Sequence, residues 1–543
     1  MRFSKICLIV LIAFPVLVQA QQWKDYQPIE ANNPIPEEFL TLSSDKYEQA
    51  KEQLSSERDE KKTKQDFLLE SNFLIDQVLS SGRVLFNDPV SDYLNKVMDV
   101  ILVDDLELRK KIRVYALQSS VVNSFTTDDG IILVNLGLLA QLENEAQLAF
   151  ILCHELVHYT ENHVINAYVE NQQIKHGKGE YKRSTFDERM LARSRYSKDL
   201  EKDADRIGLE RFLTTPYGTS SLLNVFEVMR YAHLPFDDIP FDKSFFNEGY
   251  YQVDDSYFLN RVRPVETSGN GKSGHDTHPN PSERQQLMRS YLSRTNTSRK
   301  SNYLVSEPEF HRLRELARFE LSNLYLNANE PVKCVYNAFL LLQNHPNNDY
   351  LKKSIAHALY TLSKFKTGGN YGYVHPGFSQ IEGESQQVYH LLYRLEPQEL
   401  CILATGYLWR LKDQYPNDKD IEVMSNDLFA DLMTNYYVPG MFAQTKPTEG
   451  WNKLDTTIAI KGKYDRLKQK SKSNPHLAMV KYALVDLFEN ATFTEEFENL
   501  ERKVWGNSEH FTEKEIRKKT KLDVRQWKNH GFALGAEKVV VVS

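Results

Sequence analysis

Two histidines four positions apart, with a glutamate beside the first, are the residues of this chain best suited to chemistry. They form the string His154-Glu155-Leu156-Val157-His158, which follows an apolar run ending at Cys153. This spacing places both imidazoles on one face of a helix, one turn apart, where they can bind a single Zn²⁺ ion while Glu155 points to the open coordination position. The string therefore predicts a zinc hydrolase with one ion per chain.

The residues before the motif predict the helix that must hold it. Asn144 and Gln147 have the spacing of a capping box, and the run from 148 to 152 continues with the period of a helix whose buried side includes Leu148 and Ile151. The motif then lies well inside a regular element, which fixes the direction of its side chains.

A second helical pattern offers the third ligand. Glu201 and Asp205 are four residues apart in a segment that ends near Phe212, before the breaker string from 214 to 218. On one helix face, Glu201 can complete the protein ligands while Asp205 accepts the outer N–H of a ligating histidine. The alternative is a solvated acidic face, which would be the usual interpretation of an isolated pair. After a His-Glu-x-x-His helix we favour the ligand interpretation.

His163 is a less suitable ligand than Glu201. It follows His154 by nine residues and His158 by five, which on a continuous helix points it away from both. A motif with a third histidine also needs a glycine turn after the second, where this chain has Tyr159-Thr160-Glu161. We expect His163 at the surface or at a helix cap.

Several short strings, taken in order, resemble a known family. They are Val122-Asn123-Ser124-Phe125, Asp129-Gly130-Ile131-Ile132, Gly137-Leu138-Leu139, the segment from 144 to 149, the metal helix, the segment from 201 to 209, and His278-Pro279 with Arg284. Residues 65 to 295 thereby resemble zinc metallopeptidases of the HtpX and CAAX prenyl protease type. They are most similar to the soluble periplasmic BepA-like branch, in which a peptidase precedes tetratricopeptide repeats. Ser124 and Thr126 depart from this pattern, because the family usually has alanine there.

The resemblance implies a fold and a function. The fold would be α+β but mainly α, a zincin-like metallopeptidase domain with a small sheet, then a tetratricopeptide-like region and a smaller C-terminal segment. The function would be hydrolysis of peptide bonds in exported or misfolded envelope proteins, with Glu155 as general base. Partners would be protein or peptide substrates and outer-membrane assembly components bound by the repeats. Two alternatives remain: a chaperone or adaptor with a latent peptidase centre, and a structural binding protein with an inactive metal site.

The predicted sheet suggests where a substrate binds. Ile112–Leu117 and Ile131–Val134 are short β-branched runs, and Asp128-Asp129-Gly130 forms a turn before the second. An edge of this sheet can hold an extended peptide through backbone hydrogen bonds, which makes Asn123 and Phe125 candidate substrate-binding residues. The alternative is that they finish a strand and fill the core.

His278 is a further catalytic candidate. It follows a weakly periodic, aromatic segment from 235 to 273 that has the character of a functional loop. In similar proteins the corresponding histidine lies near the zinc, where it can stabilise the oxyanion or occupy the water position in a latent form. The alternative is a loop histidine before a helix that starts at Pro281; His275 is a weaker candidate.

The remaining sequence predicts export and several domains. Arg2 and Lys5 precede an apolar run from 6 to 18, as in a signal peptide cleaved before Gln21. That run is too short for a membrane span, and no later segment approaches one. Without its two basic residues the chain has 65 basic and 74 acidic side chains, a net charge of −9, which disfavours nucleic acid. The predicted divisions are a signal peptide 1–20, a charged helical lead-in 21–64, a metallopeptidase domain 65–295, tetratricopeptide-like repeats 305–436 and an unassigned region 437–543.

The last two regions are the least regular. Helical patterns recur from 310 to 414, and two breaks near 344 and 415 lie about two 34-residue repeat periods apart, although an irregular helical domain remains the alternative. Val539–Val542 reads as a buried strand that either pairs elsewhere or continues into a longer natural protein. Among the cysteines after the signal peptide, Cys334 and Cys401 are the only pair that we consider for a disulfide.

Overall fold

The computed structural model describes residues 23–24, 26–31, 33–39, 58–176, 186–247, 253–266, 280–294, 301–436, 487 and 490–505. These residues belong to two compact units. The first contains the described residues of Met1–Ile239, Pro264–Ala328 and Tyr336–Leu351, and the second those of Pro240–Arg263, Asn329–Val335 and Lys352–Ser543. All candidate site residues discussed below lie in the first unit, apart from His278, which is outside the described residues.

Helices make up most of the described chain. Up to residue 327 they are α1 (Arg58–Leu79), α2 (Pro89–Ile101), α3 (Leu106–Arg109), α4 (Leu136–Gln141), α5 (Glu145–Thr160), α6 (His163–His176), α7 (Phe186–Thr214), α8 (Asn224–Arg230), α9 (Pro281–Leu292) and α10 (Glu307–Asn327). They are followed by α11 (Pro331–Leu342), α12 (Asp349–Thr367), α13 (Ser385–Arg394), α14 (Pro397–Gln414), α15 (Lys419–Asp431) and α16 (Ala491–Trp505). The α+β, mainly α prediction is confirmed, and a helical region follows the sheet as expected.

The first unit also contains a four-stranded sheet. Its strands are β1 (Val84–Leu85), β2 (Arg113–Leu117), β3 (Ser124–Thr126) and β4 (Ile131–Asn135), in the order β1-β2-β4-β3. Strands β2 and β4 are parallel, whereas β1 and β3 each pair antiparallel with a neighbour. Strand β3 therefore lies at one edge of the described sheet.

A tight turn joins β3 to β4. Gly130 has a φ of 84°, in the left-handed region that glycine adopts without strain. A Cβ atom at this position would also lie only 2.5 Å from the backbone oxygen of Lys111. Both the backbone conformation and the lack of space for a side chain therefore require glycine at this position. This accounts for the predicted Asp128-Asp129-Gly130 turn, which fixes the position of β3.

The two faces of β4 are buried in different apolar clusters because successive strand residues point to opposite sides. Ile132 and Val134 belong to the larger cluster, which also includes residues of α2 and α5. Ile131 and Leu133 belong to a smaller cluster with Ile75 and other residues near α1. Helix α5 is therefore held against one defined face of the sheet.

Five helices, α10 to α14, lie between residues 307 and 414, where the sequence has recurring helical patterns. Helix α15 is an addition, because its sequence was not singled out as helical. Cys334 and Cys401 are both buried and free, so the disulfide considered from the sequence is absent from the described chain. Desolvation by burial raises the pKa of the Cys401 thiol to about 12, which keeps it protonated.

Some expectations concern residues outside the described ranges. These are the signal peptide, the lead-in before residue 58 apart from short pieces between 23 and 39, His275, His278 and the C-terminal strand. In the described part of the chain, none of the helices combines the length and apolar character needed to cross a bilayer.

Candidate metal centre and active site

The helix that carries the histidine motif begins at a well-formed cap. The side chain of Asn144 accepts a hydrogen bond from the backbone N–H of Gln147, at 3.1 Å. The Gln147 side chain accepts from the backbone N–H of Glu143, so the reciprocal half of the predicted capping box reaches one residue further back. Every residue of α5 from Glu145 to Val157 is buried, so packing surrounds the motif except at His158, which is partly buried.

Three side chains on two helices converge on one point. His154 Nε2 and His158 Nε2 are 3.1 Å apart. The carboxylate of Glu201 on α7 reaches both, with Oε2 at 3.7 Å from His154 Nε2 and Oε1 at 3.6 Å from His158 Nε2. One ligand atom from each residue lies within 4.8 Å of the other two. Glu201 follows His154 by 47 residues and His158 by 43, and the fold brings all three to a single site.

These distances fit a zinc ion. Ligand atoms bonded to a tetrahedral zinc at about 2.0–2.1 Å lie roughly 3.3 Å from one another, close to the separations observed here. Asp205 Oδ1 lies 3.1 Å from His154 Nδ1, so we infer that Nδ1 carries the proton and that Nε2 presents its lone pair to the cluster. Two nitrogens and a carboxylate that face each other in this way form a donor set suited to a divalent cation.

Asp205 is held in place by a buried arginine. Arg284 of α9 donates to both oxygens of Asp205, from Nε and Nη2, at 2.7 Å each. Its third nitrogen, Nη1, lies 3.2 Å from Glu201 Oε2. Burial opposes ionisation of Asp205, but the hydrogen bonds from Arg284 and His154 outweigh it and lower the Asp205 pKa to about 2. One guanidinium thus orients both Glu201 and Asp205 of α7.

His163 lies against the second histidine of the motif: it is buried and not at the surface, but it stands at the start of α6, close to the helix-cap position that was the other expectation. Only 6% of His163 is exposed, and its Nδ1 is 3.2 Å from Nδ1 of His158. The spacing argument assumed a continuous helix, whereas α5 ends at Thr160 and Asn162 has a φ of 55° that turns the chain back. His163 begins α6 and faces the ring nitrogen of His158 that does not point into the cluster. Burial, reinforced by His154 and His163, lowers the pKa of His158 to about 2.

Close packing of α7 on α5 depends on a glycine. A Cβ atom on Gly208 would lie 3.1 Å from both Cα and N of His154. Such contacts are tighter than most Cβ contacts, so a larger residue would push α7 away from the metal helix. Gly208 thereby sets the distance between the two helices that carry the three ligand candidates.

Glu155 points from α5 towards the edge strand. Ser124 Oγ donates to Glu155 Oε1 at 2.7 Å, and Thr126 Oγ1 donates to Oε2 at 2.8 Å. Only 6% of Glu155 is exposed. The carboxylate that would act as general base is therefore held by strand β3, while the ligand histidines are supported by α6, α7 and α9.

A match with a known protein family covers this region of the chain. Residues 91–292 match peptidase family M48. The chain carries a peptidase family M48 domain. It is also similar to the Beta-barrel assembly-enhancing protease of Yersinia pestis, with 23% identity over 103 residues, or 19% of this chain. That match spans 21% of the length of the relative, about a fifth.

These matches confirm the family resemblance predicted from the sequence, to M48 metallopeptidases of the BepA-like branch. The M48 domain contains all the site residues described above, from Ser124 in β3 to Arg284 in α9. The family and the name of the relative support a peptidase.

The other predicted site residues of the M48 domain have different surroundings. Asn123 is exposed next to β3, and its backbone oxygen accepts from the N–H of Asn135 at 3.1 Å. Phe125 is partly buried and packs against the smaller apolar cluster, as its core-filling alternative expects. His278 lies outside the described residues, and helix α9 begins after it at Pro281 with Asn280 as its cap.

Sequence reasoning missed the supporting side chains of the M48 domain. Arg284 was recognised only as part of a string, although it shares a helix face with the buried Met288 four residues later. A charged residue on an otherwise apolar face predicts a buried partner, and that signal was available. Ser124 and Thr126 were noted only as departures from alanine, without their contact to Glu155.

Proposed function

We propose that this protein is a zinc-dependent metalloendopeptidase that hydrolyses peptide bonds of exported or misfolded envelope proteins. The convergence of His154, His158 and Glu201 around one point, with Glu155 on the same helix, is the observation that carries the proposal. Both the M48 match and the donor set of two imidazoles and one carboxylate support zinc. Asp205 would be the hydrogen-bond partner that orients His154.

The proposed reaction divides the work between the ligands and the base. Bound zinc would polarise the scissile carbonyl and acidify the attacking water. His154, His158 and Glu201 would hold the ion, and Glu155 would take the proton of the water and pass it to the leaving amine. No side chain would become covalently attached to the substrate.

The outer edge of β3, with which no strand of the described residues pairs, is the proposed binding site for the peptide backbone. Strand β3 pairs with β4 on one side, and Ser124 and Thr126 point from it to Glu155. A peptide that adds to the other side would have its backbone beside the base, with Asn123 just before the strand and Phe125 in its middle. This arrangement favours extended segments, as found in unfolded proteins.

The proposed location is the periplasm or another exported compartment. The predicted signal peptide supports it, and the name of the relative links that protein to β-barrel assembly. Protein or peptide substrates would be the main partners. We further propose that the helical region from 305 to 436, predicted to be tetratricopeptide-like, binds outer-membrane assembly components.

The proposal is tested by separating metal binding from turnover. Glu155→Gln should retain zinc and fold but lose peptide cleavage, because an amide cannot accept the proton of the water. His154→Ala, His158→Ala and Glu201→Ala should each lose zinc, because two remaining ligands bind it weakly. Undiminished cleavage by Glu155→Gln would contradict the mechanism, and full zinc content in Glu201→Ala would remove the third ligand. Envelope proteins trapped by Glu155→Gln would identify substrates.

The role of His278 is tested by the sign of one effect. If its imidazole occupies the water position at rest, His278→Ala should raise casein cleavage or self-cleavage, whereas an oxyanion-stabilising role predicts a decrease. We favour the first role, because a peptidase with an open cleft would damage its neighbours. Unchanged cleavage would identify His278 as a loop residue only.

A further inference from the structure

Two hydroxyl side chains on one strand hold both oxygens of the glutamate that is the proposed general base. Ser124 Oγ is 2.7 Å from Glu155 Oε1, and Thr126 Oγ1 is 2.8 Å from Glu155 Oε2. Thr126 Oγ1 also lies 3.0 Å from the backbone oxygen of Glu155, so this one hydroxyl contacts both the main chain and the side chain of the base. Resting on the peptidase function proposed above, we propose that Ser124 and Thr126 are positioning residues that fix Glu155 in one orientation for proton transfer.

Strand geometry explains why two residues can act together. Ser124 and Thr126 are two positions apart, so their side chains point to the same face of the sheet, towards α5. Phe125 between them packs in the cluster of the other face. Pairing of Ser124 with Val134 and of Thr126 with Ile132 ties both hydroxyls to β4. The two donors are therefore attached to a rigid part of the fold.

The two hydroxyls are also the main restraint on the carboxylate. Within the described residues, Ser124 and Thr126 are the hydrogen-bond donors that reach the Glu155 side chain. A buried carboxylate that lost both would gain rotameric freedom in a site where small displacements are costly, because proton transfer requires hydrogen-bond distance. The expected consequence is a lower kcat, with little change in substrate binding.

This restraint is separate from the support of the ligands. His154 is held by Asp205, and His158 is contacted by His163, both on helices rather than on β3. Removal of the hydroxyls should therefore leave zinc content unchanged. A variant that keeps its metal and its KM but loses kcat would indicate a role in positioning the base, which a merely structural role would not produce.

The experiment uses variants of the full-length zinc-loaded protein. Ser124→Ala and Thr126→Val should each lower kcat about tenfold on a peptide substrate, with KM and zinc content unchanged, since hydrogen bonds to charged groups are among the stronger ones. Thr126→Ser keeps the hydroxyl and should restore most of the rate. Thr127→Val is the matched control: Thr127 is a buried neighbour on the same hairpin, and its hydroxyl bonds Asp129 and the backbone of Ile131, not Glu155.

A second measurement does not depend on activity. In the zinc-free protein, Thr126→Val should lower the melting temperature when Glu155 is present and have a smaller effect in a Glu155→Ala background. Equal decreases in both backgrounds would overturn the contact, as would an unchanged or increased kcat in Ser124→Ala and Thr126→Val, or equal loss in Thr127→Val. If the wild type cleaves no peptide, the proposed function fails, while the melting experiment still tests the contact between Thr126 and Glu155.

Discussion

Replacement of Arg284 by leucine should damage the centre although Arg284 is not a ligand. Arg284 is 6% exposed, and its guanidinium donates two 2.7 Å hydrogen bonds to Asp205, with Glu201 at 3.2 Å. Among the described residues, leucine would leave the buried carboxylate of Asp205 with the hydrogen bond to His154 and would remove the contact to Glu201. The substitution therefore acts directly on Glu201, one proposed ligand, and through Asp205 on His154, another.

The loss of stability expected for Arg284→Leu follows from the burial of the ion pair. Removal of one member of a buried ion pair costs about 3–5 kcal/mol, because the other charge stays in a medium of low dielectric. Asp205 keeps its contact with His154, so we expect the lower end, about 3 kcal/mol, in the free energy of unfolding. Loss of an outer hydrogen-bond partner lowers metal affinity by about 10–100-fold.

Arg206 provides the matched control for Arg284. It lies on α7 and bonds Asp203 and Glu210, each at 3.2 Å, but its side chain is 40% exposed. Arg206→Leu should cost less than about 1 kcal/mol, because solvent screens exposed pairs. Urea unfolding and zinc competition with a chelator measure the two effects. Equal losses in both variants, or unchanged zinc affinity in Arg284→Leu, would refute the proposed support by Arg284.

Three further changes test other contacts. His163→Phe should weaken zinc binding about tenfold, because the 3.2 Å contact to His158 is lost. His163→Asn can still form a hydrogen bond and should recover part of the zinc affinity. Equal zinc affinity in the two variants would show that the hydrogen bond from His163 has no role. Gly208→Ala should lower zinc affinity with secondary structure intact by circular dichroism, because its Cβ would press on His154. Glu145 has a lowered pKa, since hydrogen bonds from Tyr217 and Tyr93 and from backbone N–H groups outweigh burial. Ionised Glu145 should therefore stabilise the fold at pH values above the ordinary glutamate pKa, and this stabilisation should be lost as the pH falls through the lowered pKa of Glu145. Glu145→Gln should flatten that part of the curve of stability against pH.

Local patterns predicted the parts of the centre that lie on one element. The period of α5 and the spacing of its histidines were readable because a helix repeats within the span of the motif. Strand β3 has only three residues, too few for a period, although the turn at Gly130 indicated where it ends. Arg284 and Asp205 are 79 residues apart, and their pairing depends on how α9 packs against α7. His163 was misplaced because a single left-handed residue, Asn162, decides its direction.

The N-terminal end of the metal helix has a consequence for the order of assembly. Glu145 is fully buried and accepts hydrogen bonds from the backbone N–H groups of Leu304, Val305 and Ser306, as well as from Tyr93 and Tyr217. During synthesis or translocation from the N-terminus, α5 emerges long before these three donors. Until they arrive, Glu145 lacks three of its hydrogen bonds, so burial of its carboxylate at the start of α5 is unfavourable. The proposed hydrolytic centre would thus be completed only after residue 306 has emerged and docked against the start of α5.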